Sequence, residues 1–300
     1  MNTAVQSTQH EARIGLFAGI GAFGLWGFAP LYFKLLGNIN AIEIIAHRVV
    51  WSVVFLLLVL VFRHRGGVLK HIQVSRKTLM ILACSGLLIG LNWLIFVFAV
   101  NTDRVLSTSL GYFINPLVSV LLGLIVFKEH LNGLQVLAVV LAGAGTLHLT
   151  LAAGEFPWIA LSLALSFGLY GVIRKKVDVG PMVGLFWETL LVLPLAVGWL
   201  LWVSHANQID GDLSNISEAM TLMGTGLMTV IPLILFAAAV RRLYLSTIGL
   251  MQYIAPSLSF CMAVFIFNEP FGLDHAITFG CIWTGLCLYS YSSWKNRVRV

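Results

Sequence analysis

Ten apolar stretches, each about as long as a bilayer is thick, leave this chain almost no choice of fold. They fall at 14–34, 41–62, 78–100, 105–127, 134–152, 156–173, 180–203, 219–240, 244–267 and 273–292. A helix needs about 20 apolar residues to traverse ~30 Å of hydrocarbon. Inside lipid every backbone polar group must find its partner within the chain, so such stretches are helices and not open strands. The expected class is all-α integral membrane, with ten transmembrane helices. Only 10% of the residues are charged, against about a quarter in soluble domains. The longest connections, 63–77 and 204–218, are too short to hold a soluble domain. The first stretch reads as an uncleaved helix, not as a signal segment.

The net charge of +6 does not point to nucleic acid, because the basic residues sit in short loops between apolar stretches. With the N-terminus placed inside, 15 of the 18 Lys and Arg fall on the inner side, Lys34 and Arg104 on the outer, and Arg48 within a helix. The positive-inside rule then puts both termini in the cytoplasm. The cysteines Cys84, Cys261, Cys281 and Cys287 lie in apolar stretches without metal-ligand spacing, so they read as small packing residues.

The chain is internally duplicated. Ser107–Glu129 carries Tyr112, Asn115 and Pro116 and closes on Phe127-x-Glu129; Thr247–Glu269 carries Gln252, Tyr253 and Pro256 and closes on Phe267-x-Glu269. The offset is 140 residues without a gap, and it also pairs Leu110 with Leu250, Ile114 with Ile254, and Ser119 with Ser259. Phe23-Gly24-Leu25-Trp26-Gly27 returns as Phe167-Gly168-Leu169-Tyr170-Gly171. The halves are therefore 14–152 and 156–292. Five helices is an odd number, so the second half enters the membrane upside down, as two inverted five-helix repeats. That arrangement is a hallmark of secondary transporters with a site near the midplane.

Polar residues inside the stretches mark where such a site would lie. Arg48, beside His47, is about 10 Å deep at 1.5 Å per residue, where a guanidinium needs a partner or a water-filled cavity. Glu188 occupies the equivalent position in the second half. The expectation is an Arg48–Glu188 pair, or a polar cavity shared by the two. It either locks the halves together or holds substrate charge or a proton. Asn92, Trp93, Tyr112, Asn115, Gln252 and Tyr253 are either interhelical hydrogen-bonding groups or cavity walls. Trp26 and Tyr170 offer rings for packing or for a planar ligand. Pro116 and Pro256 free the carbonyls of Tyr112 and Gln252, which marks two flexible or unwound points. Glu129 and Glu269 are placed to cap the N-termini of the fifth and tenth helices.

No P-loop, HExxH or GxSxG occurs. No enzymatic chemistry, cofactor or metal is expected. The expected partners are a small-molecule substrate, the lipid bilayer, and protons as a candidate coupling ion.

The sequence resembles the EamA-type branch of the drug/metabolite transporter superfamily, and within it the RarD group. The resemblance rests on Trp26-Gly27 with Pro30 and Tyr32-Phe33-Lys34; on Glu43–Arg48 leading to Trp51-Ser52; on Asn92-Trp93 with Ala99-Val100-Asn101; and on Ser109–Pro116. It implies a carrier of the bacterial inner membrane with a central cavity between two halves and alternating access. The expected function is a secondary active or facilitative transporter that exports a small organic metabolite or drug. A non-transporting scaffold or channel-like subunit and an intramembrane lipid-modifying enzyme are the competing readings.

Overall fold

The apolar stretches fold as helices. The computed structural model describes residues 2–37, 39–64, 67–101, 105–152, 156–206, 210–211, 215–266 and 272–297, so Arg104, Phe267 and Glu269 lie outside the described residues. The helices are α1 Asn2–Phe33, α2 Ala41–His64, the short α3 Val68–Ile72, α4 Arg76–Asn101, α5 Val105–Phe127, α6 Gly133–Ala152, α7 Trp158–Lys176, α8 Pro181–His205, α9 Ile216–Val240, α10 Leu245–Met251, α11 Ile254–Phe265 and α12 Leu273–Arg297. Among the described residues there is no strand. Eight helices, α1, α2 and α4 to α9, contain a segment long and apolar enough to cross a membrane.

The ninth and tenth stretches fall short of that mark for different reasons. α12 is long, but Asp274, His275 and several Tyr, Ser and Trp residues dilute its apolar content. The ninth stretch is split. Pro256 has no N–H to offer the Gln252 carbonyl, which accepts from the Ala255 N–H instead, at 3.2 Å. Tyr253 N–H likewise reaches only three residues back, to Leu250, so one tight turn separates α10 from α11. Pro116, at the equivalent position, leaves α5 continuous. The expectation of two matching breaks is therefore corrected to one. The broken turn is tied to its neighbours: Gln252 Nε2 donates to Ser119 Oγ at 2.7 Å and the Tyr253 hydroxyl donates to the Phe113 carbonyl at 3.2 Å.

Local signals set the other helix ends. Asn132 and Gln135 exchange side chain-to-backbone hydrogen bonds at 3.0 Å in a capping box at the start of α6. Pro181 opens α8, where its missing N–H costs nothing. Asn215 caps α9 by accepting from the Ser217 N–H.

Helices from one half pack mainly on helices from the other: α6 on α12, α5 on α7 and α10, α1 on α9 and α11, α2 on α8 and α9, and α4 on α7 and α8. The two sequence halves are thus interleaved in one bundle. Some of these contacts are reciprocal at the 140-residue offset. A Cβ on Gly145 would come within 2.8 Å of the Thr278 carbonyl oxygen, and one on Gly285 within 2.7 Å of that of Ala138. The equivalent residues Phe113 and Tyr253 touch each other through the hydrogen bond just described. Large apolar side chains such as Phe17, Phe62, Ile125, Leu151 and Phe265 remain exposed. An apolar surface of this extent suits hydrocarbon and not water.

The bundle has two distinguishable ends. One, here the termini end, gathers Glu11, the ends of α5 and α7, the α9–α10 connection, and Ser292 near the C-terminus. At the far end Glu43 accepts from the N–H groups of Asp210 and Gly211, both at 3.0 Å, and Asn40 N–H donates to Asp210.

Candidate functional site

The interior cation Arg48 sits seven residues into α2 from the far end. Its Nε donates to Thr229 Oγ1 on α9 at 2.9 Å. The guanidinium carbon lies 5.0 Å from the Trp93 ring centre on α4 and 5.5 Å from that of Phe33, the last residue of α1. Thr229 accepts this bond while its own hydroxyl donates to the Thr225 carbonyl, so it serves as an acceptor already oriented by its helix. Tyr112 on α5 is within electrostatic reach of Arg48, yet 49% of its surface remains exposed. One turn further along α5, the buried Oδ1 of Asn115 has no hydrogen-bond partner; one turn along α2 from Arg48, neither does the buried Nε1 of Trp51. His47 is buried one turn from Glu43.

Glu188 is not the partner of Arg48. Its carboxylate accepts from Ser85 Oγ on α4 at 2.6 Å, from the Tyr170 hydroxyl on α7 at 3.2 Å, and from Arg174 Nη1 at 3.5 Å. The expected Arg48–Glu188 pair is corrected to Arg174–Glu188, with both side chains shut away from solvent at 0% and 1% exposure. The reason is geometric. Each residue lies about 10 Å from its own end of a ~30 Å core, which leaves roughly 10 Å between them along the bundle. Their side chains also turn to different neighbours, Arg48 to α9 and Glu188 to α4 and α7. By sequence Arg174 is one of the 15 inner-side cations, because it ends an apolar stretch beside Lys175 and Lys176. Its spacing one turn from Tyr170 was the available signal. Gly184 makes room for it: a Cβ there would lie 2.0 Å from Arg174 Nη1.

A second network at the termini end was also placed differently by sequence. Lys128 takes a left-handed backbone, φ 52°, and turns the chain at the end of α5. Glu129 then caps α10, not α6. Its carboxylate accepts from Leu245 N–H at 2.6 Å, Ser246 N–H at 2.8 Å and Ser246 Oγ at 2.8 Å, and pairs with Lys175 Nζ at 3.4 Å. Lys175 donates as well to the Leu243 carbonyl and lies over the Phe127 ring. Gly123 leaves the space, since a Cβ there would come within 2.7 Å of Glu129 Oε2. The cluster joins α5, α7 and α10 into a latch that closes this end.

The remaining expected site residues are structural. Asn92 Nδ2 donates to the Leu163 carbonyl and to Ser166 Oγ, both at 2.9 Å, joining α4 to α7. Gln252 and Tyr253 join α10 and α11 to α5. Trp26 belongs to a packed ring cluster with Phe23, Phe167 and Phe236, and Tyr170 stacks on Phe236 at 5.9 Å. Of the expected set, the structure gathers Arg48, Trp93 and Tyr112 in one place. It assigns Tyr170 and Glu188 to a separate, sealed centre. Among the described residues, no group of three His, Cys, Asp or Glu could hold a metal.

Comparison with known proteins agrees with this picture. The EamA-like transporter family matches twice, over residues 13–151 and 157–291. An uncharacterized transporter of Pseudomonas aeruginosa is 41% identical over 288 residues, covering 96% of this chain and 97% of its own. Protein RarD of Salmonella typhimurium is 41% identical over 279 residues, covering 93% and 95%. A crystal structure with 18% identity superposes with a TM-score of 0.73 over 92% of this chain and 97% of that one, and so shares the fold. Two matches that together span nearly the whole polypeptide, and relatives alike along their full length, make this multi-pass membrane protein a member of the EamA-like transporter family, in its RarD group.

Proposed function

We propose that this chain is a secondary transporter that moves a small organic solute outward across the bacterial inner membrane by alternating access. Ten spans form two inverted five-helix repeats, residues 14–152 and 156–292, with both termini cytoplasmic. The reciprocal α6–α12 contacts and the Phe113–Tyr253 contact support the inverted pairing, because a two-fold axis returns each contact to its equivalent. The charge bias of the loops supports the orientation.

The observation that carries the reading is the difference between the two ends. Toward the termini the bundle is shut by the Arg174–Glu188–Ser85–Tyr170 network and by the Glu129 latch. Toward the far end, Arg48 has no carboxylate partner among the described residues and its neighbour Tyr112 is half exposed. This difference supports a carrier closed toward its termini. The solute reaches Arg48 from the cytoplasm once both termini-end networks part, and it leaves through the far end. The pairing of Glu188 with Arg174 leaves protons a candidate coupling ion, since a protonated Glu188 no longer holds the guanidinium.

Thiol labelling tests this. With the native cysteines replaced, Tyr112→Cys reacts with a membrane-impermeant methanethiosulfonate added outside, and Ser85→Cys does not. Adding a transported solute slows the first reaction. Labelling of Tyr112→Cys from the cytoplasmic side alone, in the absence of solute, would sink the assignment.

A further inference from the structure

Among the described residues the interior holds two arginines, and one of them has a carboxylate partner. Arg174 faces Glu188. Arg48 takes part in none of the ion pairs among the described residues. Three described acids are committed elsewhere: both oxygens of Glu43 accept backbone N–H groups, Asp210 accepts from Asn40, and Glu188 is fully engaged. Among the described residues its hydrogen-bond acceptor is the neutral Thr229 hydroxyl. A guanidinium at this depth, supported by two ring faces and one hydroxyl, retains most of its capacity to bind an anion.

The surrounding groups match that charge. The Tyr112 hydroxyl on α5 and the unpartnered Trp51 N–H, one turn along α2 from Arg48, are further donors. Phe33 and Trp93 supply flat apolar walls. The unpartnered Asn115 Oδ1 can accept one N–H or O–H from a ligand. A single fixed cation balances a single negative charge, and a guanidinium fork fits a carboxylate through two parallel hydrogen bonds. A phosphate monoester, with nearly two charges, would be left uncompensated.

We propose that the solute is an organic monocarboxylate with a planar body, its carboxylate held by Arg48 and its ring or conjugated plane lying against Trp93. The proposal rests on the transport reading only in calling this ligand the substrate; the anion site stands by itself.

The test uses the purified full-length protein and its thermal unfolding midpoint. The probes are benzoate, phenylacetate and indole-3-acetate, each beside its amide and its amine, with phenyl phosphate as a further anion. The expected result is stabilisation by at least one of the acids and by none of the amides, amines or phosphate. Arg48→Gln abolishes that response. Arg48→Lys, which keeps the charge but not the fork, weakens binding of the same acid about tenfold and remains informative should Arg48→Gln fail to fold. Equal stabilisation by an amide or amine overturns the proposal. So does an acid response that survives in Arg48→Gln, a preference for the phosphate, or no response to any acid. Counterflow of the responding acid in proteoliposomes separates the two claims. An acid that binds through Arg48 but shows no counterflow refutes transport and leaves the site. Counterflow of an amine or amide by a protein that ignores the acids does the reverse.

Discussion

Removing the Glu129 carboxylate should loosen the termini end selectively, and its size can be worked out from the contacts. Glu129→Ala strips the partners from two N–H groups in the first turn of α10, those of Leu245 and Ser246, and from the Ser246 hydroxyl. Leu245 and Ser246 are both buried, and each unsatisfied donor costs about 1–3 kcal/mol. Lys175 also loses its counter-charge, but it keeps the Leu243 carbonyl and is 17% exposed, so that part adds only tenths of a kcal/mol. Water entering beside the exposed Tyr244 offsets some of the loss, which leaves about 3 kcal/mol. This penalty falls on the state in which α10 is held against α5. The equilibrium for opening that end should therefore shift by roughly a hundredfold. Hydrogen–deuterium exchange of the α10 peptide in nanodiscs reads it directly: exchange of the Leu245 and Ser246 amides rises by that factor. Glu129→Gln, with one acceptor oxygen in place of two, gives an intermediate value, and amides in the middle of α6 remain unchanged. Wild-type protection of α10 in Glu129→Ala would refute the latch.

Three further outcomes follow from the packing. Arg174→Met leaves the Glu188 carboxylate buried without its cation and should destabilise by about 3–5 kcal/mol, with most of the loss recovered in Arg174→Met/Glu188→Leu. Chemical unfolding in mixed micelles measures both, and Arg48→Glu/Glu188→Arg should show no comparable recovery. Gly249→Ala places a Cβ 2.6 Å from the Pro116 carbonyl oxygen and should cost about 1–3 kcal/mol through overpacking where α5 meets α10, seen as a lowered midpoint in the same titration. Asn92→Ala removes one interhelical tie between α4 and α7 and should cost about 1 kcal/mol while leaving the ligand response of the purified protein intact.

What the sequence made legible was whatever depends on local pattern. Apolar length gave the helices, and the lack of a donor at Pro256 gave the one interrupted span. The 140-residue offset identified pairs that do meet across the bundle, such as Gly145 and Gly285 with their partners. What it did not convey was which face of each helix turns toward which neighbour. Arg174, adjacent to two loop lysines, looked like a third loop cation until α8 was seen to present Glu188 to it. Glu129 stands just before α6 in the chain, yet the left-handed Lys128 turns it onto α10, 116 residues away in sequence from Leu245. Asn92, Gln252 and Tyr253 are polar for the sake of helix contacts, and only the contacts distinguish them from Tyr112, which makes no such hydrogen bond among the described residues.

The Arg48–Glu188 expectation fails in a way that explains the site. If the halves are inverted repeats, equivalent residues meet only on the axis between them, as Phe113 and Tyr253 do. Off the axis they form two centres, one for each half, and each centre is free to diverge. Arg48 has Trp93 and Thr229 for neighbours; the residues 140 positions away from these are Leu233 and Ile89, both apolar, so the Glu188 centre has no copy of that polar wall. Its carboxylate turns instead to Ser85, Tyr170 and Arg174 and is neutralised within the protein. Among the described residues the Arg48 centre has no carboxylate partner, and its neighbour Tyr112 is half exposed. Duplication supplied two equivalent interior positions. Substitution around them made one a closed ion pair that holds the bundle shut and the other an open cation able to take its counter-charge from a ligand.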